Sequence, residues 1–186
     1  KDLKEFPEKS RQLYGELKRL EKYDECLALC DQVLEKYPDN ISALLYRGVI
    51  FLDLKKYPEA IADFERVLSA APQFYYVWCL KGRCELFAQQ YDAAIESYRQ
   101  CIKINPYISE PWNFAALAYF MCDKKNVAIG ILNFGIEKIE NKKDLLFMKG
   151  FIEEHAGDRD DALMSYIQCQ ILSPEEDKPV SAEGIF

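Results

Sequence analysis

The apolar positions fall into short stripes with a helical period, and the stripes return every 34 residues. Between Ser42 and Leu54 the residues Leu44, Leu45, Gly48, Phe51 and Leu52 recur at i, i+1, i+4, i+7 and i+8, which predicts a helix with one buried face. Between Pro58 and Ala70, Ile61, Phe64, Val67 and Leu68 form a second stripe. Pro58 suits the first turn of that helix, where a missing N–H costs nothing. Pro72 stops it and begins the next unit.

The same pair of patterns is legible along most of the chain. Tyr23, Tyr57 and Tyr91 are spaced by 34 and 34. Pro38, Pro72 and Pro106 keep the same interval, and Pro174 lies 68 beyond Pro106. A small column runs Cys26, Ala60, Ala94, Ala128, Ala162, followed each time by an aliphatic residue: Leu27, Ile61, Ile95, Ile129, Leu163. An earlier column reads Ser10, Leu44, Trp78, Trp112, Leu146, and four residues on come Tyr14, Gly48, Gly82, Ala116, Gly150. Small residues at Gly48, Gly82 and Gly150, facing Ala60, Ala94 and Ala162, are expected to let paired helices approach closely. The aromatic column Phe64, Tyr98, Tyr166 is expected to fill the seam to the next unit. No unit of this kind buries both of its faces alone, so stacking supplies the core.

These residues resemble the tetratricopeptide repeat family, whose signature is an early Trp or Leu, then Gly, Tyr, Ala, an aromatic residue and a closing Pro. The third unit carries it as Trp78, Gly82, Tyr91, Ala94, Tyr98 and Pro106. The resemblance covers residues 7–176 as repeats of about 7–40, 41–74, 75–108, 109–142 and 143–176, with 1–176 as one domain and 177–186 as an irregular tail. It implies an all-α fold, a right-handed α-solenoid of antiparallel helix pairs. Two units depart from the pattern. The first has Tyr14, Cys26 and Cys30 at the Gly, Ala and aromatic places. The fourth has Lys125, Leu132 and Glu140 for Tyr, the aromatic and Pro, with Gly130 and Gly135 inside its second helix. Internal glycines cost about 1 kcal/mol each against Ala, which marks the fourth unit as the weak one. The tail from Ser173 holds Pro174 and Pro179, no helical stripe and no polar capping helix. With a start that lacks Met, this reads as a trimmed piece of a longer protein.

By the same resemblance the first helix of each unit lines the concave face. The residues projected there are Arg11, Gln12, Gly15 and Lys18; Leu45, Tyr46, Val49 and Leu52; Tyr76, Cys79, Leu80, Arg83, Leu86 and Phe87; Asn113, Phe114, Leu117, Phe120 and Met121; and Phe147, Met148, Phe151 and His155. So apolar a face fits a protein or peptide ligand with an apolar side, either an amphipathic helix or an extended apolar peptide. The competing expectation is that some of these aromatics belong to the protein's own core. Two ligand modes of the family find no match. The carboxylate clamp would need Lys, Asn, Asn, Lys and Arg where the chain has Arg11, Gly15, Tyr46, Tyr76 and Leu80, and later registers place Glu110 or Asp144 where Lys is required. An asparagine ladder would need Asn in a column that reads Gln12, Tyr46, Leu80, Phe114, Met148.

Charge narrows the partner class. With 24 basic and 31 acidic residues the net charge is −7, which disfavours a phosphate backbone or an anionic membrane surface. No run of 18 apolar residues exists to span a bilayer, and the start Lys1-Asp2-Leu3-Lys4-Glu5 is too polar for a secretory signal. Seven cysteines at irregular spacings do not form a disulfide framework and point to a reducing, intracellular, cytoplasmic setting. Neither a metal, a cofactor nor an enzymatic activity is expected. His155 is the single histidine, no Cys-x-x-Cys occurs, and no phosphate loop is present. Cys26 and Cys30, four apart on one helix face, read as small core residues rather than a ligand pair, and Cys101 and Cys169 share a small-residue column with Val33, Val67 and Gly135. Asp158, Asp160 and Asp161 read as the acidic start of a helix. The functional expectation is a protein-interaction scaffold or adaptor. The alternative is a structural subunit of a large assembly, including self-association into a homo-oligomer.

Overall fold

The computed structural model describes residues 15–172, and the expectations for residues 7–14 and for the tail after Leu172 lie outside them. After a helical stretch over 15–19, nine helices follow in the described residues, with no strand: α1 Tyr23–Lys36, α2 Ile41–Asp53, α3 Tyr57–Ala70, α4 Tyr75–Phe87, α5 Tyr91–Ile104, α6 Ser109–Met121, α7 Lys125–Lys138, α8 Lys143–Ala156 and α9 Arg159–Ile171. The first helices α2, α4, α6 and α8 start 34 residues apart, and so do the second helices α1, α3, α5, α7 and α9. The predicted helices are recovered one residue earlier at each start, at Ile41 and Tyr57.

The turn from first to second helix is the most regular feature of the chain. Glu21, Lys55, Gln89, Asp123 and Gly157 all adopt positive φ, between 56° and 96°, at intervals of 34. Each is followed by an N–H that reaches back five residues: Lys22 to the Leu17 carbonyl, Lys56 to Phe51, Gln90 to Glu85, Lys124 to Tyr119 and Asp158 to Glu153, at 2.8–3.0 Å. This is the Schellman closure, which satisfies the last carbonyls of a helix and reverses the chain. It favours glycine, yet four of the five places hold a side chain.

The chain divides into two compact units, residues 1–105 and 106–186. In the first, α2 packs between α1 and α3, and α4 packs on α3 and α5. Its core is formed by Cys26, Cys30, Leu44, Ile50, Phe64, Val67, Val77 and Cys84, all essentially without solvent contact. In the second unit α6 packs on α7 and α8, and α8 on α7 and α9. Here Trp112, Ala116, Leu132, Leu145 and Ile152 are buried.

The glycine column has a different partner from the one expected. A Cβ on Gly48 would stand 2.7 Å from the Phe64 ring, one on Gly82 would stand 2.9 Å from Tyr98, and one on Gly150 would stand 2.7 Å from Tyr166. The aromatic ring therefore lies across the glycine of its own unit, sixteen residues earlier. Gly135 follows the same logic, since a Cβ there would meet Trp112 at 3.0 Å, whereas Gly130 faces open space. Only Gly130 of the two fourth-unit glycines is an unoffset cost. The Trp and Pro columns are linked as well. The indole N–H of Trp78 donates to the Pro72 carbonyl and that of Trp112 to the Pro106 carbonyl, both at 2.9 Å. Trp112 is thereby buried, and Trp78 half-buried, each with its polar atom satisfied.

Candidate functional site

The first helices present the residues that the sequence projected onto one face, and their burial separates them into two groups. In the first unit Leu45, Tyr46 and Val49 are half-buried against the core, Arg83 is half-buried, and Leu52, Cys79, Leu80 and Leu86 are buried. Leu80 therefore turns inward and serves packing. Tyr76 and Phe87 stand out, about half exposed. The Phe87 ring leans on Tyr57 at 5.9 Å between centroids.

In the second unit Asn113, Phe114, Leu117, Phe120, Met148 and Phe151 are half-buried, while Met121 and Phe147 are about half exposed. Aromatic contacts order this surface. Phe120 meets Phe151 and His155 edge-on at 6.0 Å each, and Phe151 and His155 lie 4.2 Å apart. The His155 Nδ1 is 2.8 Å from the Phe151 carbonyl, and Lys125 donates to the His155 carbonyl at 3.2 Å. Phe147 rests against Tyr166 at 5.8 Å. Held rings cost little entropy to cover, so such a surface is suited to contact. Arg11 and Gln12 lie outside the described residues; Gly15 is exposed and Lys18 pairs with Asp53 at 3.2 Å.

The cysteines are free thiols, and all but Cys122 are buried. Burial pushes the Cys30 and Cys84 thiols up to about 12, so both stay protonated at neutral pH. Among the described residues no group of three or more His, Cys, Asp and Glu is gathered as a metal site would need, and no helix is long and apolar enough to cross a membrane.

A polar device went unread in the sequence. Arg47 on α2 donates from Nε and Nη2 to the buried Asp63 of α3, at 2.8 and 2.7 Å, and from Nη1 to Asp31 of α1 at 2.7 Å. These carboxylates raise the guanidinium pKa further, Asp63 most of all. One unit on, Lys81 pairs with Glu85 at 2.9 Å and Glu65 at 3.4 Å, and Ser97 donates to Glu85 at 2.6 Å. In the last unit Lys149 pairs with Glu153 at 3.4 Å and Ser165 donates to it at 2.7 Å. Glu85 and Glu153 are themselves buried. The signal was present as cations at 47, 81 and 149, separated by 34 and 68 residues.

Helix pairs in fixed phase, closed by identical turns and faced by half-exposed aromatics, define an all-α repeat protein of the solenoid class, which works by offering its extended surface to other proteins. Models of the tetratricopeptide repeat match residues 16–73 and 75–107, and the chain belongs to the tetratricopeptide repeat family. Solved structures share the fold. MamA 41-end from Desulfovibrio magneticus RS-1 aligns with a TM-score of 0.81 at 17% identity, covering 96% of this chain and 99% of that one. A crystal structure of MamA aligns at 0.78 and 18% identity, covering 86% and 93%. YrrB, described as a TPR protein with an unusual peptide-binding site, aligns at 0.72 and 17% identity, covering 90% and 86%. No curated protein sequence matches the chain.

Proposed function

We propose that this protein is a scaffold or adaptor whose first-helix faces take an apolar helix or peptide of a protein partner. The observation that supports this reading is the exposure of Tyr76, Phe87, Met121 and Phe147, all on first helices and each about half open to water. Leaving large apolar side chains exposed is costly at ~25 cal/mol per Å2, and a partner that covers them recovers that term. The acidic excess, −7, favours protein over nucleic acid as the partner. The repeat array over 1–176, with 177–186 as its tail, belongs to the same proposal.

The test is affinity capture with the whole chain and with Phe87→Glu plus Phe147→Glu, after circular dichroism has shown equal helicity. Loss of the captured partner is expected from the double variant. Retention at the wild-type level overturns the reading. The second reading, a structural subunit of an assembly, draws on the exposed side of α9.

A further inference from the structure

One side of α7 departs from the pattern that the other second helices keep. At the place of Phe134 they carry Gln32, Arg66, Gln100 and Gln168, and at the place of Val127 they carry Glu25, Glu59, Ala93 and Asp161. All of these are exposed except the half-buried Gln100, so among the described residues neither place is covered by a neighbouring helix in any unit. On α7 both places are apolar and still open, with Phe134 exposed by 62% and Val127 by 46%. Gly130 lies between them, and a Cβ there would meet nothing within 4 Å. Val127, Gly130 and Phe134 stand at i, i+3 and i+7, one stripe of a helix.

The charges around this stripe are also particular to α7. The helices α1, α3, α5 and α9 each carry acidic residues in the first turn, whereas α7 carries none. Asp123 and Lys124 stand at its start and Glu137 and Lys138 at its end, all exposed. Turned end for end, this face matches itself. A two-fold axis between Gly130 and Ile131 sets Val127 against Phe134, Lys124 against Glu137 and Asp123 against Lys138, and each contact occurs twice. Glycine then sits at the axis, where it lets two backbones approach closely. The two helix dipoles oppose each other in this arrangement, which favours it further. A parallel copy in register would set like charges together. The apolar side of α9 does not match itself in this way, because acids open that helix and no basic residue closes it.

We propose that α7 is the contact of a symmetric, antiparallel dimer of this chain, with Val127 and Phe134 as its apolar centre and the charges of Asp123, Lys124, Glu137 and Lys138 as its rim. One helix pair covers less than the roughly 800 Å2 per partner of a standard interface, so the dimer dissociates readily. The contact uses second helices only and leaves the first-helix residues to another partner. Asn133 sits about 90° around α7 from the stripe, outside the contact.

Sedimentation velocity on the full chain from ~1 μM to ~1 mM tests this. A reversible shift from monomer to dimer is expected. Phe134→Glu changes an exposed place that is polar in the other units, so it should melt as the wild type does and stay monomeric throughout. Lys124→Glu sets acid against Glu137 twice and should weaken dimerisation at least about tenfold. Adding Glu137→Lys to it should restore the dimer. Phe87→Glu with Phe147→Glu should dimerise normally, which keeps this result separate from loss of a captured partner. A wild type that stays monomeric overturns the proposal. So does a dimer that Phe134→Glu leaves intact, or one that Phe87→Glu with Phe147→Glu dissolves. A Lys124→Glu and Glu137→Lys double variant no better than Lys124→Glu alone overturns the antiparallel pairing.

Discussion

Arg47 holds Asp63 with two parallel hydrogen bonds, 2.8 Å from Nε and 2.7 Å from Nη2, and spends its remaining nitrogen on Asp31. One side chain thereby fastens three successive helices. Removing the cation leaves a buried carboxylate unpaired. Arg47→Ala is expected to cost about 3 kcal/mol in urea unfolding. The fourth unit carries Ala115 and Ile131 at the two places, so an apolar pair is structurally acceptable there. Arg47→Met with Asp63→Leu should accordingly fall within ~1 kcal/mol of the wild type. A double variant as damaged as Arg47→Ala would contradict this.

The five positive-φ turns give a second prediction. A side chain in this conformation costs about 1–2 kcal/mol, part of which glycine recovers against its greater unfolded freedom. Lys55→Gly and Gln89→Gly should each stabilise by up to ~1 kcal/mol, and Gly157→Ala should destabilise by about as much. Thermal melting of the three variants decides it.

The helical glycines separate by what lies above them. Gly48→Ala drives a methyl into the Phe64 ring at 2.7 Å and should cost about 1–3 kcal/mol. Gly130→Ala meets open space and should gain about 1 kcal/mol from helix propensity. If both substitutions destabilise alike, the packing role assigned to Gly48 fails.

Most of the fold was legible because period and packing coincide: Trp78, Gly82, Tyr98 and Pro106 each fill a fixed structural place, so the sequence repeats where the structure does. What escaped was partner identity across a helix pair. The stripe shows that Gly48 and Phe64 face inward, but contact between them depends on helix rotation, which a one-dimensional period does not carry. The Arg47–Asp63 pair escaped for a related reason, because charged residues are read as solvated by default and neither burial nor approach is visible in spacing. For the candidate face, the helices that carry its residues were legible. The split between buried Leu80 and half-exposed Phe87 was not, since both are large apolar residues on α4.

The thiols supply a chemical check. Desolvation holds Cys30 and Cys84 at about 12 against an ordinary 9.0, so at pH 8 almost none of either is thiolate. Native protein treated with a disulfide reagent should react first at Cys122, which is partly accessible, and at Cys30 and Cys84 only on unfolding. Their raised folded values add stability that is complete below pH 9 and lost as pH climbs toward 12. Fast native labelling of Cys30 would refute the packing that raises it.

Photo-cross-linking from single positions addresses the first-helix face most directly. With benzoylphenylalanine placed at Phe87 or Phe147 in the full chain in cells, irradiation should yield a discrete partner adduct. The same group at Glu59 or Asn133, exposed on second helices, should not. Adducts from Glu59 or Asn133 with none from Phe87 and Phe147 would mean that the partner sits elsewhere.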